Sequence, residues 1–339
     1  MHTSEFDYHL PEDRISQAPL TDRTSAKLLR VDRETGSLED LHIRDLPEQL
    51  KSGDLLVFND SKVFRARLIA ERANGTQPFE VFLLRPEGSD WLALIKKSKR
   101  LKIGETIVLP ENTTAEIIAK EDDGVIRLRF HKTAAEIFEL CDRTGEVPTP
   151  PYVSAPLKDL KDYQTVYAKH LGSVAAPTAG FHFTETLLNT LKARGINIAY
   201  ITLHVGLGTF RPMKDGNLNQ HIMHSEWVSV SQETTQLIEA TKKNGGRVIA
   251  VGTTSTRSLE SAAKDGTLKP FEGMTNLFIQ PGYTFRVIDG LITNFHLPKS
   301  TLLVLVSALA NREVILNAYA HAIAHHYRFY SFGDAMLII

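Results

Sequence analysis

Histidine, arginine and carboxylate side chains stand beside turns throughout the second half of this sequence. Imidazole and carboxylate groups are common general acids and bases, and arginine is a common partner of carboxylates and phosphates. Loops at strand ends hold such groups on a rigid frame, so this density is typical of a functional site. The residues are His182, Glu185, His204, Arg211, Glu226, Arg257, His296 and Asp334.

The segment HVGLGTF places two glycines directly after a predicted strand. Gly206 and Gly208 allow backbone amides to approach a ligand closely, and His204 and Arg211 flank them. It is not a nicotinamide-binding turn, because neither a third glycine nor a helix follows. A sharp turn at the strand end explains the glycines equally well.

The segment VIAVGTTSTRSLES, residues 248–261, predicts a strand, a short loop and a helix. The helix start, with free amides and the hydroxyls of Thr253, Thr254 and Ser255, is a ready anion site. Arg257, one turn further on, is placed to pair with a carboxylate or phosphate. The lysine of nucleotide-triphosphate loops is absent. The segment alone favours an ordinary Ser/Thr helix cap.

The segment AAPTAGFHFTE, residues 175–185, predicts the start of a helix. Thr184 is a suitable N-cap, and Phe183 is placed to pack against Leu188 across the first turn. These roles explain the end of the segment and leave residues 177–182 unexplained.

Two further motifs carry weaker signals. His321 and His325 lie one helical turn apart, which suits two metal ligands, but no glutamate stands between them and no third ligand is obvious nearby. A solvated helix end is therefore favoured, and no metal is predicted. A basic run could contact a phosphate backbone or form a charged turn. It comprises Lys96, Lys97, Lys99, Arg100 and Lys102.

The predicted secondary structure that must position these residues shows two patterns. From about residue 65 to 130, apolar residues alternate with polar ones between short turn clusters, which predicts a small antiparallel barrel or sandwich. After residue 184, capped helices alternate with buried strands in an α/β pattern. The proline-rich GEVPTPPY, residues 145–152, predicts a stiff connector between them.

Composition limits the class of protein. The 339 residues are 42% hydrophobic with a formal net charge of −1, so a polyanion would need a local basic patch. No apolar run is long enough for a membrane span and the first residues lack a secretory signal, so we expect a cytoplasmic protein. Cys141 is the only cysteine, which excludes an internal disulfide and a cysteine zinc cluster; its helical context predicts a buried thiol.

Taken in order, several long segments resemble one enzyme family, the S-adenosylmethionine:tRNA ribosyltransferase-isomerases of queuosine biosynthesis. The likeness runs from near residue 4 to the C-terminus, with Phe181 in place of the family's usual leucine. The segments are FDYHLPEDRISQAP, GDLLVFNDSKVFRARL, GEVPTPPY, YQTVYAKHLGSVAAPTAGFHFT, HVGLGTFRP, AVGTTSTRSLE, TNFHLPKSTLLVLVSAL and YRFYSFGDAML.

The resemblance implies a fold and an activity. The fold would be a two-domain α/β protein, in which an antiparallel β-barrel at residues 65–149 interrupts a larger α/β domain made of residues 1–64 and 150–339. The activity would transfer the ribosyl unit of S-adenosylmethionine to the aminomethyl arm of 7-aminomethyl-7-deazaguanine at the tRNA wobble position, giving epoxyqueuosine with release of adenine and methionine. S-adenosylmethionine would be consumed as a co-substrate, with no metal or other cofactor and no membrane partner.

The resemblance also suggests roles for the residues above. His204, with Glu226 as second candidate, would do the acid–base work, and the basic run Lys96, Lys97, Lys99, Arg100 and Lys102 would contact tRNA. Substrate-binding candidates are Pro177, Thr178, Ala179, Gly180, His182, Gly206, Gly208, Arg211, Thr253, Thr254, Ser255, Arg257 and His296. A non-catalytic RNA-binding protein and a His/carboxylate hydrolase of a small metabolite are the alternatives.

Overall fold

Short apolar runs in both halves of the sequence form the central strands of one large sheet. In the computed structural model, these runs are β3 (Leu55–Asn59) and β14 (Val248–Val251), and every residue of both is buried. Alternate side chains serve two cores: Leu55 and Val57 face one, and Leu56 and Phe58 face the other. The sheet is therefore covered on both faces, as continuous apolar strands require.

The structure describes residues 1–73, 75, 77–96, 98–150, 152–154, 157, 159–206, 213 and 216–339. Within them, the large sheet has the strand order β15-β13-β12-β3-β14-β16-β17-β1-β2. The remaining bounds are β1 Lys27–Val31, β2 Leu38–His42, β12 Asn197–His204, β13 Glu226–Val230, β15 Phe271–Thr275, β16 Gly290–Asn294 and β17 Ala335–Ile338.

Helices cover the two faces of this sheet. The core that contains Leu55 also takes side chains from α4 (Gln232–Lys243), α5 (Thr253–Ala262), α6 (Thr301–Ala310) and α7 (Arg312–Ala324). The opposite core is covered by α1 (Leu46–Gln49) and α3 (Glu185–Ala193).

The predicted helix signals are confirmed. The hydroxyls of Thr184 and Ser231 accept hydrogen bonds from the backbone amides of Leu187 and Thr234, which caps α3 and α4. Gly195 follows α3 with a φ of 80°, a left-handed conformation that glycine adopts without steric cost.

A closed antiparallel barrel is inserted between β3 and β12, which confirms the predicted fold class. Its order is β10-β7-β6-β5-β8-β9. The barrel encloses a separate core, and α2 (Ala134–Thr144) packs Ile137 and the fully buried Cys141 against it. The strands are β5 Arg67–Arg72, β6 Phe79–Glu87, β7 Asp90–Ile95, β8 Thr106–Leu109, β9 Thr113–Lys120 and β10 Val125–Phe130. The boundaries at residues 65 and 149 stay a prediction.

Two short strands lie beside the junction between barrel and sheet. β4 (Ser61–Val63) and β11 (His170–Ser173) pair in parallel. Among the described residues, no single helix is long and apolar enough to cross a membrane, and only α6 and α7 taken together, with a 114° bend between them, meet the length and composition for one.

Candidate active site

The carboxyl ends of four parallel strands, β12, β3, β14 and β16, meet at one edge of the large sheet. Ligands of open α/β sheets bind beyond this edge. His204 ends β12, Gly252 follows β14 and Asn294 ends β16. The turn Thr178–His182 lies against β16. Four segments that the sequence separates by up to 116 residues therefore converge here.

A first pocket, named here the strand-end pocket, opens at this edge. It holds about 690 Å³ of empty space, including the part open to solvent. Its lining residues are Tyr152, Ala176, Pro177, Thr178, Ala179, Val205, Gly252, Thr253, Thr254, Thr293, Asn294, Phe295, His296, Leu297, Ser300, Leu302, Tyr330 and Ser331.

The start of α5 supplies one polar wall of the strand-end pocket. Gly252 precedes the helix with a φ of 90°, and the first amides of α5 have no carbonyl before them in the helix. Thr254 Oγ1 is buried without a hydrogen-bond partner among the described residues. Ser255 Oγ donates to the Val251 carbonyl at 2.8 Å, so its hydroxyl is engaged by the backbone and does not line the pocket.

Asn294 links the pocket to His182. The Thr178 hydroxyl donates to Asn294 Oδ1 at 2.9 Å, and Asn294 Nδ2 lies 3.2 Å from His182 Nε2. Burial lowers the pKa of His182 to about 4, so the ring is neutral and accepts from the amide. His182 therefore lies behind Asn294 and outside the pocket lining.

Two other predicted contacts differ in position. His296 lines the strand-end pocket, with Nε2 3.1 Å from the Thr293 hydroxyl, and burial lowers its pKa to about 3. Gly180 does not line it: a Cβ there would lie 2.0 Å from Tyr167 Oη. Close packing therefore explains this glycine.

A second pocket, the interdomain pocket, lies between the barrel and the sheet. It holds about 970 Å³ of empty space, including the part open to solvent. The barrel contributes Leu84, Arg85, Leu92, Leu94, Glu121, Asp122 and Val125. The larger domain contributes Gly172, His204, Val205, Gly206, His224, Ser225, Glu226 and Trp227. Val205 lines both pockets, so one residue joins their walls.

His204 forms part of the floor of the interdomain pocket. Its ring stacks on Trp227 with centroids 5.1 Å apart, and Nδ1 is buried without a partner among the described residues. Gly172 has a φ of 145°, and a Cβ there would lie 2.8 Å from His204 Nε2, so the ring needs a glycine beside it. Burial, with a smaller contribution from His170, lowers the pKa of His204 to about 4.

Glu226 and Arg257 form a buried ion pair at the edge of this pocket. Both side chains are 4% exposed, and Arg257 Nη1 donates to Glu226 Oε2. Glu226 Oε1 accepts from the amide of Gly206 at 3.0 Å, and Arg257 Nε donates to the Leu277 carbonyl at 3.2 Å. Arg257 lines neither pocket, and its buried Nη2 has no partner among the described residues.

The basic run lies on the barrel, between β7 and β8. Lys96 follows β7, a turn spans Ser98–Arg100, and the side chains of Lys96, Lys99, Arg100 and Lys102 are exposed. Lys120 Nζ, at the end of β9, donates to the Ser98 carbonyl at 3.1 Å. Lys96 and Arg100 line a hollow of the barrel that is separate from the interdomain pocket.

Some predicted residues cannot be placed, and some pocket residues were missed. Lys97, Gly208 and Arg211 lie outside the described residues. Asn294 and Trp227 were missed although they adjoin candidate residues in TNFHL and MHSEW. Tyr152, Tyr330 and Ser331 had no local signal, because they meet only in the folded chain. Tyr330 has a φ of 72°, rare for an aromatic residue and typical of strained functional sites.

Comparisons with known proteins point to one family. The sequence model described as "Queuosine biosynthesis protein" matches residues 3–338. Proteins of Staphylococcus haemolyticus (strain JCSC1435) and Staphylococcus aureus (strain JH9), each named S-adenosylmethionine:tRNA ribosyltransferase-isomerase, are 50% identical over 342 residues, with 100% of each chain covered. The crystal structure of an S-adenosylmethionine tRNA ribosyltransferase from Thermotoga maritima is similar with a TM-score of 0.58 and 34% identity, covering 99% of this chain and 100% of that one.

Proposed function

We propose, since the chain belongs to the queuosine biosynthesis protein family, that it is an S-adenosylmethionine:tRNA ribosyltransferase-isomerase whose two substrates meet at Val205. The observation that carries the location is the shared wall of the two pockets. A transfer between a small donor and a macromolecular acceptor needs adjoining sites with separate entrances. The strand-end pocket is the donor site and the interdomain pocket is the acceptor site.

The donor site suits S-adenosylmethionine. Backbone groups of Pro177 to Ala179 line it and hold the adenosine portion beside the aromatic ring of Tyr330. The first amides of α5 and the unpartnered Thr254 hydroxyl receive the methionine carboxylate. Arg257 joins α5 to β13 through its ion pair with Glu226, and in this proposal it does not contact the methionine carboxylate.

The acceptor site suits a base extruded from tRNA. Trp227 and His204 offer stacked rings, and the barrel supplies apolar side chains opposite them. The aminomethyl arm of 7-aminomethyl-7-deazaguanine is a cation near neutral pH, and the carboxylate of Asp122 lines the same pocket, whereas that of Glu121 pairs with Arg127. The pocket therefore attracts this arm and stacks its base.

His204 is our candidate base. The sulfonium acidifies the neighbouring 5′ carbon of the donor. Removal of its proton forms a C4′=C5′ double bond and breaks the C4′–O4′ bond; O4′ becomes a carbonyl oxygen on C1′, and adenine leaves from C1′ and takes up a proton. The resulting vinyl sulfonium is attacked by the neutral amine. The lowered pKa of His204 keeps the imidazole neutral and able to accept a proton. Glu226, which lines the same pocket, is the second candidate for acid–base work.

A product analysis tests the proposed function. The protein is incubated with S-adenosylmethionine labelled in the ribose and with tRNA that carries the aminomethyl base. We expect adenine, methionine and a labelled wobble nucleoside in equal amounts. Binding of tRNA without any product would favour a non-catalytic RNA-binding protein, and donor breakdown independent of tRNA would favour a small-molecule hydrolase.

Replacing Thr254 with valine should weaken donor binding by up to about tenfold, because one hydrogen bond contributes about 0.5–1.5 kcal/mol. The change keeps the shape of the side chain and removes the unpartnered hydroxyl. Isothermal titration with S-adenosylmethionine measures it. Ser258→Ala is the matched control, since that hydroxyl also belongs to α5 but donates to the Thr254 carbonyl. Equal affinities for all three proteins would remove Thr254 from the donor site.

Replacing Lys96, Lys99 and Lys102 with alanine should weaken tRNA binding and flatten its salt dependence. Each lost phosphate contact lowers the slope of log affinity against log salt by about 0.7–0.9. Filter binding at several salt concentrations measures the slope, and donor affinity should not change. Lys192→Ala, an exposed lysine on α3, is the control. A slope equal to that of the control would place the tRNA contact elsewhere.

A further inference from the structure

Three potential metal ligands converge on the surface where β2 meets the end of α7. Asp40 belongs to β2, His321 lies in the last turn of α7 and His325 caps that helix. One ligand atom from each residue lies within 4.8 Å of the other two. No third ligand was obvious in the sequence near the histidine pair. Asp40, on a strand nearly three hundred residues earlier, supplies it.

Hydrogen bonds already orient two of these three side chains. Tyr327 Oη donates to Asp40 Oδ1 at 2.5 Å, which leaves Oδ2 directed at His321, 2.9 Å from its Nε2. His325 Nδ1 donates to the His321 carbonyl at 2.8 Å, which fixes the tautomer and leaves Nε2 unprotonated. Metal-ligating histidines are commonly held by this type of bond through their other nitrogen.

From this arrangement we propose that Asp40, His321 and His325 form a site for one divalent transition-metal ion of the Zn²⁺ class. Two imidazole nitrogens and one carboxylate oxygen are a donor set that zinc accepts, whereas calcium and magnesium require mainly oxygen. Tetrahedral bonds of about 2.0–2.1 Å place ligand atoms about 3.4 Å apart. The histidine rings are stacked with centroids 3.8 Å apart and an interplanar angle of 21°, so they must turn out of this stack for both nitrogens to point at one ion.

The site is open to solvent on one side. The side chains of His321 and Asp40 are 24% and 46% exposed, so an ion can enter without a change of fold and a water can complete its coordination. The competing explanation is a hydrogen-bonded helix end in which His321 pairs with Asp40 alone. Under that explanation His325 does not bind an ion, so its replacement should not change zinc affinity. The variants test this difference.

A bound ion would connect β2 to α7. β2 is an edge strand of the large sheet and contacts β1 along one side. An ion that binds only the folded chain raises its unfolding temperature in proportion to the logarithm of ion concentration over Kd. The proposal therefore has a readout that does not depend on catalysis or on the proposed function.

Titration with ZnCl₂ tests the proposal on the full chain after treatment with a chelator. At about one pH unit above the ordinary histidine pKa of about 6.5, we expect one saturable site and a rise in unfolding temperature. Asp40→Asn, His321→Asn and His325→Ala should each weaken the affinity by at least about tenfold, since each removes or neutralises a ligand. His326→Ala is the matched control, because this adjacent exposed histidine is outside the cluster.

Three results would overturn the proposal. One is the lack of saturable zinc binding by the unaltered chain. Another is a site whose affinity is the same in all three ligand variants and in the control, because that site must lie elsewhere. A loss with His321→Asn and Asp40→Asn but not with His325→Ala would also reject the three-ligand site. Circular dichroism of each variant shows whether the fold is kept.

Discussion

Replacing His204 with alanine should lower the rate of adenine release by about 10²–10⁴-fold while donor binding remains, because general-base catalysis contributes about that factor. The imidazole lies in the interdomain pocket, next to Val205, which also lines the strand-end pocket. Its Nδ1 has no partner among the described residues, so the change leaves no buried group unpaired. Single-turnover release of adenine and calorimetric titration of the donor measure the two properties separately.

The rate of adenine release should fall at acidic pH. Burial lowers the pKa of His204 to about 4, so the neutral base is present at neutral pH and is lost as the pH falls through about 4. His170→Ala is the control: it removes a charge that lowers this pKa, so the acidic limb should shift upward while the rate at neutral pH is kept. Full turnover by the His204→Ala variant would reject the assignment.

Replacing Arg257 with methionine should lower the free energy of unfolding by about 3–5 kcal/mol. Removing one partner of a buried ion pair takes away a charge that stabilises the other, which stays buried. Both side chains are 4% exposed, so solvent cannot replace the lost partner. Urea denaturation followed by circular dichroism measures the change.

The double variant Arg257→Met with Glu226→Gln separates charge from packing. Because both charges are gone, we expect it to regain most of the stability that the single change removes. Glutamine also keeps an oxygen for the amide of Gly206. If the single variant is as stable as the original protein, or the double variant is no better than the single one, the ion pair is not the source of the stability.

Local signals predicted much of the fold. The caps of α3 and α4 depend on residues three positions apart, and the barrel strands depend on alternation within four to nine residues, so both are visible in a linear sequence. The pairing of Arg257 with Glu226 is not visible, because it requires α5 to pack against β13, and 31 residues separate the two. The same holds for Asp40 and His321, which are 281 residues apart.

The sequence predicted the residue types of the candidate site better than it predicted where each side chain lies. Strand-end turns indicated where the pockets lie, and nine of the predicted substrate and catalytic residues line them. The pattern could not tell a residue that faces a pocket from one that supports it. His182 and Arg257 are examples, because both have suitable side chains for a ligand but bond to the protein instead. His182 accepts a hydrogen bond from Asn294, and Arg257 donates one to Glu226. Which side chain is engaged by its neighbours is a property of packing alone.

The strand order of the large sheet has a consequence for the order in which the chain can fold during synthesis. All six barrel strands lie between Arg67 and Phe130, so the barrel can close as soon as that stretch has left the ribosome. β3, made earlier, must wait for β12 and β14, and β1 must wait for β17 at Ala335–Ile338. β3 therefore lacks its sheet partners until β12 is made, and β1, although it can pair with β2, lacks β17 until translation is almost complete, so a chaperone that shields apolar segments would find its target in these strands.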